Sequence, residues 1–196
     1  MKTLNNKYRM NGSFEISDIA RGIVQYEIVI PINAELSGTL NADMGYLVNK
    51  YGKLQPIVRP YITLVSFDAY EHLEPIVTKW MQRICSMLDS IKIEINNYGI
   101  TPNGEMHYRI QNADAFGQFY KSFEVINSYL QDSGLPSAII HKQPKLIIAE
   151  QVQSLPAMLE FSAREIHETM DVKGFWLIKK STGNTDEKLN VFSLIP

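Results

Sequence analysis

Apolar residues recur along this chain with two periods, and each period predicts an element. A strand sends alternate side chains to opposite faces, and a period of two runs through Tyr26, Ile28 and Ile30 within 25–32. It returns at Ile91, Ile93 and Ile95, set against Lys92, Glu94 and Asn96, and at Met106, Tyr108 and Ile110, set against Glu105, His107, Arg109 and Gln111. All three segments predict strands, the latter two alternating with a polar, solvated face. Helical spacing runs through Leu40, Met44, Leu47, Val48 and Tyr51, with Gly52 as a stop, and predicts a helix over 36–51. Leu73, Val77, Trp80, Met81, Ile84, Cys85 and Leu88 predict a second over 71–88, with Trp80 on the buried stripe rather than as a stacking platform. Phe116, Phe119, Tyr120, Phe123, Ile126 and Leu130 predict a third over 113–130, ended by Ser133-Gly134-Leu135-Pro136.

Turn signals join these elements. Pro102-Asn103-Gly104 links two of the strands, and 181–186 joins a final hairpin of 174–179 and 189–194. The segment 54–59 is a connector, and 155–167 reads as a short helix turning into strand structure. Strands and helices interleave, yet several strands meet through short turns, which indicates an α+β fold with antiparallel sheets. Residues 1–20 are a polar lead-in, and 21–196 are read as a single domain of two lobes.

Two stretches depart from both periods. Arg59-Pro60-Tyr61-Ile62-Thr63-Leu64-Val65-Ser66-Phe67 is apolar at nearly every position and opens on a proline, which a strand tolerates at its first residue. Strict alternation puts Tyr61, Thr63, Val65 and Phe67 on one face and Ile62, Leu64 and Ser66 on the other. The hydroxyl pair Tyr61 and Thr63 stands out, although both are good strand formers. Gln143-Pro144-Lys145-Leu146-Ile147-Ile148-Ala149-Glu150 repeats the layout. Aligning the prolines sets Tyr61 against Lys145 and Thr63 against Ile147, an offset of 84 residues (145 − 61). Two like strands, one in each half, suggest an internally duplicated domain with a site between its halves.

On these residues the chain resembles the 2H phosphoesterase superfamily, the 2'-5' RNA ligase-like and cyclic phosphodiesterase proteins. Their hallmark is a Pro-His-x-Thr-Leu motif in each lobe. The resemblance runs over about 24–195: 24–31 is similar to the opening strand, 60–67 to the first motif, 144–149 to the second and 188–194 to the last strand. It implies two pseudo-symmetric lobes of antiparallel sheet around a concave cleft, with helices packed outside. Tyr61 and Lys145 stand where the two histidines belong, Ile147 stands where the second threonine belongs, and Thr63 alone matches.

The resemblance implies that one histidine acts as base on the attacking hydroxyl, the other as acid on the leaving oxygen, while the threonines donate to non-bridging oxygens. Histidine suits both roles because its pKa lies near neutrality. Tyrosine and lysine have reference values of about 10 and about 10.4, so at pH 7 both are protonated and no base is present. A general acid–base group is worth about 10²–10⁴-fold. Losing both removes most turnover, and Ile147 removes an oxygen-binding donor.

A ligand-binding cleft is what remains. Lys145 supplies a point charge for phosphate, Tyr61 and Thr63 supply donors, and His107 with Arg109 share a strand face that could line the concavity. The competing readings are a solvated edge for His107 and Arg109 and a snorkelling surface lysine for Lys145. His72 and His167, beside Glu71, Glu74, Glu165 and Glu168, read as exposed; His141 reads as held off the site by the register of its strand.

Composition narrows the class further. A net charge of −2 gives no case for a broad nucleic-acid surface. Cys85 is the sole cysteine, so no internal disulfide is possible, and no His-Glu-x-x-His spacing suggests a metal. No cofactor is implied. No apolar run approaches the roughly 18 residues of a membrane span, and 1–10 lack the apolar core of a signal peptide, so a cytoplasmic protein without membrane partners is expected. Three functions are compatible. The first is a degenerate member that binds a nucleotide, cyclic phosphate or RNA end without efficient catalysis. The second is an active RNA-end phosphodiesterase or ligase using Tyr61 and Lys145 in altered roles. The third is a protein-interaction module with a closed cleft.

Overall fold

The computed structural model describes residues 22–52, 55–56, 61–150, 152, 154–180 and 186–196. The polar lead-in, most of the 54–59 connector and the loop of the last hairpin lie outside them. Strands are β1 (Ile23–Pro31), β2 (Gln55–Pro56), β3 (Tyr61–Tyr70), β4 (Ile91–Ile100), β5 (Met106–Ile110), β6 (Ile139–Ile140), β7 (Lys145–Glu150), β8 (His167–Val172), β9 (Gly174–Lys179) and β10 (Glu187–Ser193). Helices are α1 (Ala34–Tyr51), α2 (Glu74–Cys85), α3 (Gly117–Asp132) and α4 (Leu155–Ser162).

Local chemistry sets the ends of these helices. Asn33 caps α1 by accepting from the Leu36 N–H at 2.8 Å, and Gly52 closes it at φ +74°. Ser154 caps α4 through the Ala157 N–H. The stripe of α2 buries Val77, Met81, Ile84 and Cys85, as the spacing predicts; Trp80 lies at its edge, partly buried against the core.

The strands form two five-stranded antiparallel sheets, ordered β10-β9-β1-β3-β6 and β2-β7-β5-β4-β8. The two orders correspond place by place. Each motif strand lies second from an edge, β3 beside β1 and β7 beside β5. The edge strands are exchanged: β2 precedes β3 in sequence but pairs with β7, while β6 precedes β7 but pairs with β3. Helices cross in the same way. α1 packs on β7 of the second sheet, where Asp43 accepts from Tyr98 Oη at 2.7 Å and Tyr108 Oη at 2.6 Å. α3 packs against α2 and under the first sheet, with Phe123 against Phe67 and Phe119 against Phe175. β3 and β7 lie against each other where the sheets meet.

Strict alternation fails in both motif strands, for one reason. Ile28 pairs with Val65 and Val29 with Thr63, so Leu64 is an extra residue, a β-bulge. Met106 pairs with Ala149 and His107 with Ile147, so Ile148 is another. The bulges lie 84 residues apart (148 − 64), the offset of the motifs themselves. A bulge shifts the side-chain phase by one. Ile62 and Leu64, then Val65, Phe67 and Ala69, all enter the core, while Tyr61, Thr63 and Ser66 share the other face. The expected grouping of Val65 and Phe67 with Tyr61 is therefore corrected, and Ser66 moves to the site face.

Candidate ligand cleft

The bulged faces of β3 and β7 enclose a cavity of about 250 Å³, lined by Tyr61, Thr63 and Ser66 from one strand and Lys145 and Ile147 from the other. All four motif positions thus meet in one cavity, and Gln143 and buried Pro144 form its rim. Phe67 is in the core, so the cavity is not filled by it.

Tyr61 and Lys145 are each held by a partner from another element. Tyr61, 9% exposed, packs with Val29, Ile178 and Trp176 and donates to Asp186 Oδ2 at 2.9 Å. Lys180 Nζ lies 3.3 Å from the same phenol oxygen and is ion-paired with Asp186. Lys145, partly exposed, is ion-paired with Glu105 and is not a freely snorkelling surface lysine. Ile147 forms an apolar wall.

Two acidic residues face the cavity that the alternation pattern did not single out. Glu27 on β1 and Glu105 before β5 both line it. Registers make them equivalents: Val29 lies opposite Thr63 and His107 opposite Ile147, and each glutamate sits two residues earlier. Glu27 is 8% exposed, 3.7 Å from Lys180 Nζ, and its Oε2 accepts no hydrogen bond among the described residues. Glu105 is placed by the 101–105 turn, in which Thr101 N–H donates to the Glu105 carbonyl at 2.9 Å. Gly104 makes that turn possible: its φ is +79°, and a Cβ there would stand 2.5 Å from the Val152 carbonyl oxygen.

His107 and Arg109 line an adjoining hollow of about 370 Å³ that shares Gln143, Pro144 and Lys145 with the first. The solvated-edge reading fails for His107, which is partly buried with Nδ1 3.5 Å from Glu105. Gly99 leaves the slot for its ring, since a Cβ would lie 2.3 Å from Nε2. Burial, and then the Lys145 charge, lower the His107 pKa. Arg109 is the more exposed of the pair. His72 and His167 are exposed, as expected from sequence.

His141 is the main departure. Sequence reasoning kept it off the site, yet it lines the cavity, with Nε2 3.0 Å from Ser66 Oγ. It precedes β7 but belongs to the first sheet's edge, where its N–H donates to Leu64 O at 2.9 Å. The strand exchange brings it in, and nothing in a linear pattern signals such an exchange.

The architecture is a bilobal α+β protein whose two antiparallel sheets meet at a polar cleft, the arrangement that the phosphoesterase resemblance implies. Solved structures share this fold. TT0787 of Thermus thermophilus matches with a TM-score of 0.67 at 15% identity, over 87% of this chain and 97% of that one. E. coli LigT in apo form matches at 0.60 and 12% identity, over 89% and 99%. LigT complexed with NADP+ matches at 0.63 and 12% identity, over the same shares. No protein-family model matches the chain, and no curated protein does. At these identities the likeness defines the fold.

Proposed function

We propose that this chain is a degenerate 2H phosphoesterase-like protein whose cleft binds a phosphate- or nucleotide-bearing ligand without the two-histidine reaction. The observation that carries this is the convergence of Tyr61, Thr63, Lys145 and Ile147 on one cavity, from equivalent positions of two strands with matching bulges. Lys145 can exchange Glu105 for a phosphate oxygen, Thr63 can donate to another, and Tyr61 can do so by exchanging Asp186 for it. His107 and Arg109, in the adjoining hollow, extend the site toward the rest of the ligand. LigT, which shares the fold, has been crystallised with 3'-AMP and with phosphate. A phenol and an alkylammonium at the histidine positions, with an apolar Ile147, support loss of the acid, the base and one donor.

Calorimetric titration with phosphate, 3'-AMP and NADP+ tests the reading. Saturable binding is expected, weakened at least tenfold in Lys145→Ala, about 1.4 kcal/mol. Absence of binding by all three, or unchanged affinity in Lys145→Ala, would overturn it. Hydrolysis of nucleoside 2',3'-cyclic phosphates provides a second arm. Turnover abolished by Tyr61→Phe but retained in Ser66→Ala would show that the motif positions still catalyse.

A further inference from the structure

We propose that Ser66 is a nucleophile of the cleft, with His141 as its general base, and that it accepts a phosphoryl group from a phosphate ester bound there. The choice of phosphate ester rests on the ligand reading above; the nucleophile itself stands on geometry. Ser66 Oγ and His141 Nε2 are 3.0 Å apart, and both line the cavity that holds Lys145. The Leu64 bulge is what aims Ser66 there, against its expected place on the opposite face.

His141 is held from both sides of its backbone. Its N–H donates to Leu64 O at 2.9 Å, and its carbonyl accepts from Tyr120 Oη at 2.8 Å. Glu27 lies in register opposite Ser66, buried, with one oxygen lacking a hydrogen-bond donor among the described residues. A nucleophile, a base within hydrogen-bond reach and a neighbouring carboxylate form the constellation that activates a hydroxyl.

Base function requires the His141 tautomer with its proton on Nδ1. Nε2 takes the Ser66 hydroxyl proton as the Oγ–P bond forms. The P–O bond to the departing alcohol breaks, and the imidazolium gives that alkoxide its proton. Water then attacks the phosphoserine, passing a proton to Nε2 as the P–Oγ bond breaks, and Ser66 recovers that proton. The sum is hydrolysis of one ester bond.

Burial lowers the His141 pKa, which keeps the imidazole neutral and able to accept a proton near pH 7. Glu27 from β1 opposes that lowering and Lys145 from β7 adds to it. Among the described residues, Tyr61 and Glu105 complete the ionisable side chains lining the cavity. Glu27 enters this scheme as a neighbouring charge.

The full chain is treated with a fluorophosphonate, a phosphoryl electrophile that needs only an activated serine, and the adduct is followed by intact mass and peptide mapping from pH 5 to 9. One adduct on Ser66 is expected. It should be absent in Ser66→Ala and at least ~100-fold slower in His141→Gln, the lower range for a general base. Labelling needs neutral His141, so its rate rises with pH. Glu27→Gln should move that rise to lower pH and Lys145→Ala to higher pH, shifts that a merely structural role would not produce. No adduct on folded wild type, an adduct elsewhere, or labelling of His141→Gln at the wild-type rate would overturn the nucleophile. Protection of Ser66 by 3'-AMP supports the phosphate-ester assignment. Labelling without protection or binding by 3'-AMP or phosphate would retain the nucleophile and overturn the ligand reading, and binding without labelling would do the reverse.

Discussion

The two motif strands share a backbone and differ in chemistry. β3 and β7 occupy the same place in their sheets, carry the same bulge, and turn equivalent positions toward one cavity. Their core faces are interchangeable in kind: Ile62, Leu64 and Val65 on one, Leu146, Ile148 and Ala149 on the other. Their cleft faces are not. β3 presents two hydroxyls and a phenol, beside an apolar patch of Val29, Ile178 and Trp176. β7 presents an ammonium and a branched alkyl group, beside His107 and Arg109. A close-packed core penalises even small volume changes, whereas a solvated cavity wall does not. Over these matched positions the chemical contrast between the halves therefore lies on the cleft side.

The largest test of this contrast is Phe67→Ala. Phe67 packs on Tyr26 at 5.5 Å and Phe123 at 6.0 Å between ring centroids, so truncation should cost about 3–5 kcal/mol in urea denaturation. Ile147→Ala, on the cleft wall of the other strand, should cost about 1 kcal/mol or less. Equal losses would break the division into a strict core face and a tolerant cleft face.

The next test sharpens the chemical difference. The triple variant Tyr61→His, Lys145→His, Ile147→Thr would give both strands the same acid–base set. None of the new side chains is much larger than the one replaced, so overpacking is not expected. Ile147→Thr could cost about 1–3 kcal/mol if its hydroxyl finds no partner. A gain in 2',3'-cyclic phosphate hydrolysis of about 10–100-fold over the parent is expected, short of the 10²–10⁴ of a well-placed group. Lys145→His also takes the charge away from Glu105, which limits the gain. A folded triple variant that neither binds nor cleaves such substrates would mean that the cleft serves another purpose.

The smallest effect is a pH slope. His107 and His141, one beside each strand, both have lowered pKa values, mainly through burial. The unfolded chain then binds more protons than the folded one below the ordinary histidine value of about 6.5. Their contribution to stability is present above that value and lost as pH falls through the depressed folded values. Urea midpoints should therefore decline from about pH 7 towards pH 5, and the double variant His107→Gln, His141→Gln should flatten the decline. An unchanged slope would mean that neither ring is protected from protonation.

Most of the elements were legible in the chain, although the short edge strands β2 and β6 were not. Periods of two and 3.6 report which residues must leave water, and that requirement is local, so the strands of 25–32 and 106–110 and the stripes of α1, α2 and α3 emerge where the spacing puts them. Offset by 84, the two proline-opened runs also reported the duplication and brought Tyr61 into relation with Lys145. Three features depended on the tertiary structure. The bulges at Leu64 and Ile148 reverse the side-chain phase, and a run that is apolar on both faces carries no alternation from which the reversal could be read. Glu105 fell on the polar side of its strand's alternation and Glu27 drew no notice, yet the meeting of the two motif strands makes both line one cavity. His141 reaches Ser66 because β6 pairs with β3 rather than with the strand that follows it. A linear sequence states which residues must be buried; which strand lies beside which is decided by the closure of the whole chain, and in this protein that closure chose the residues of the cleft.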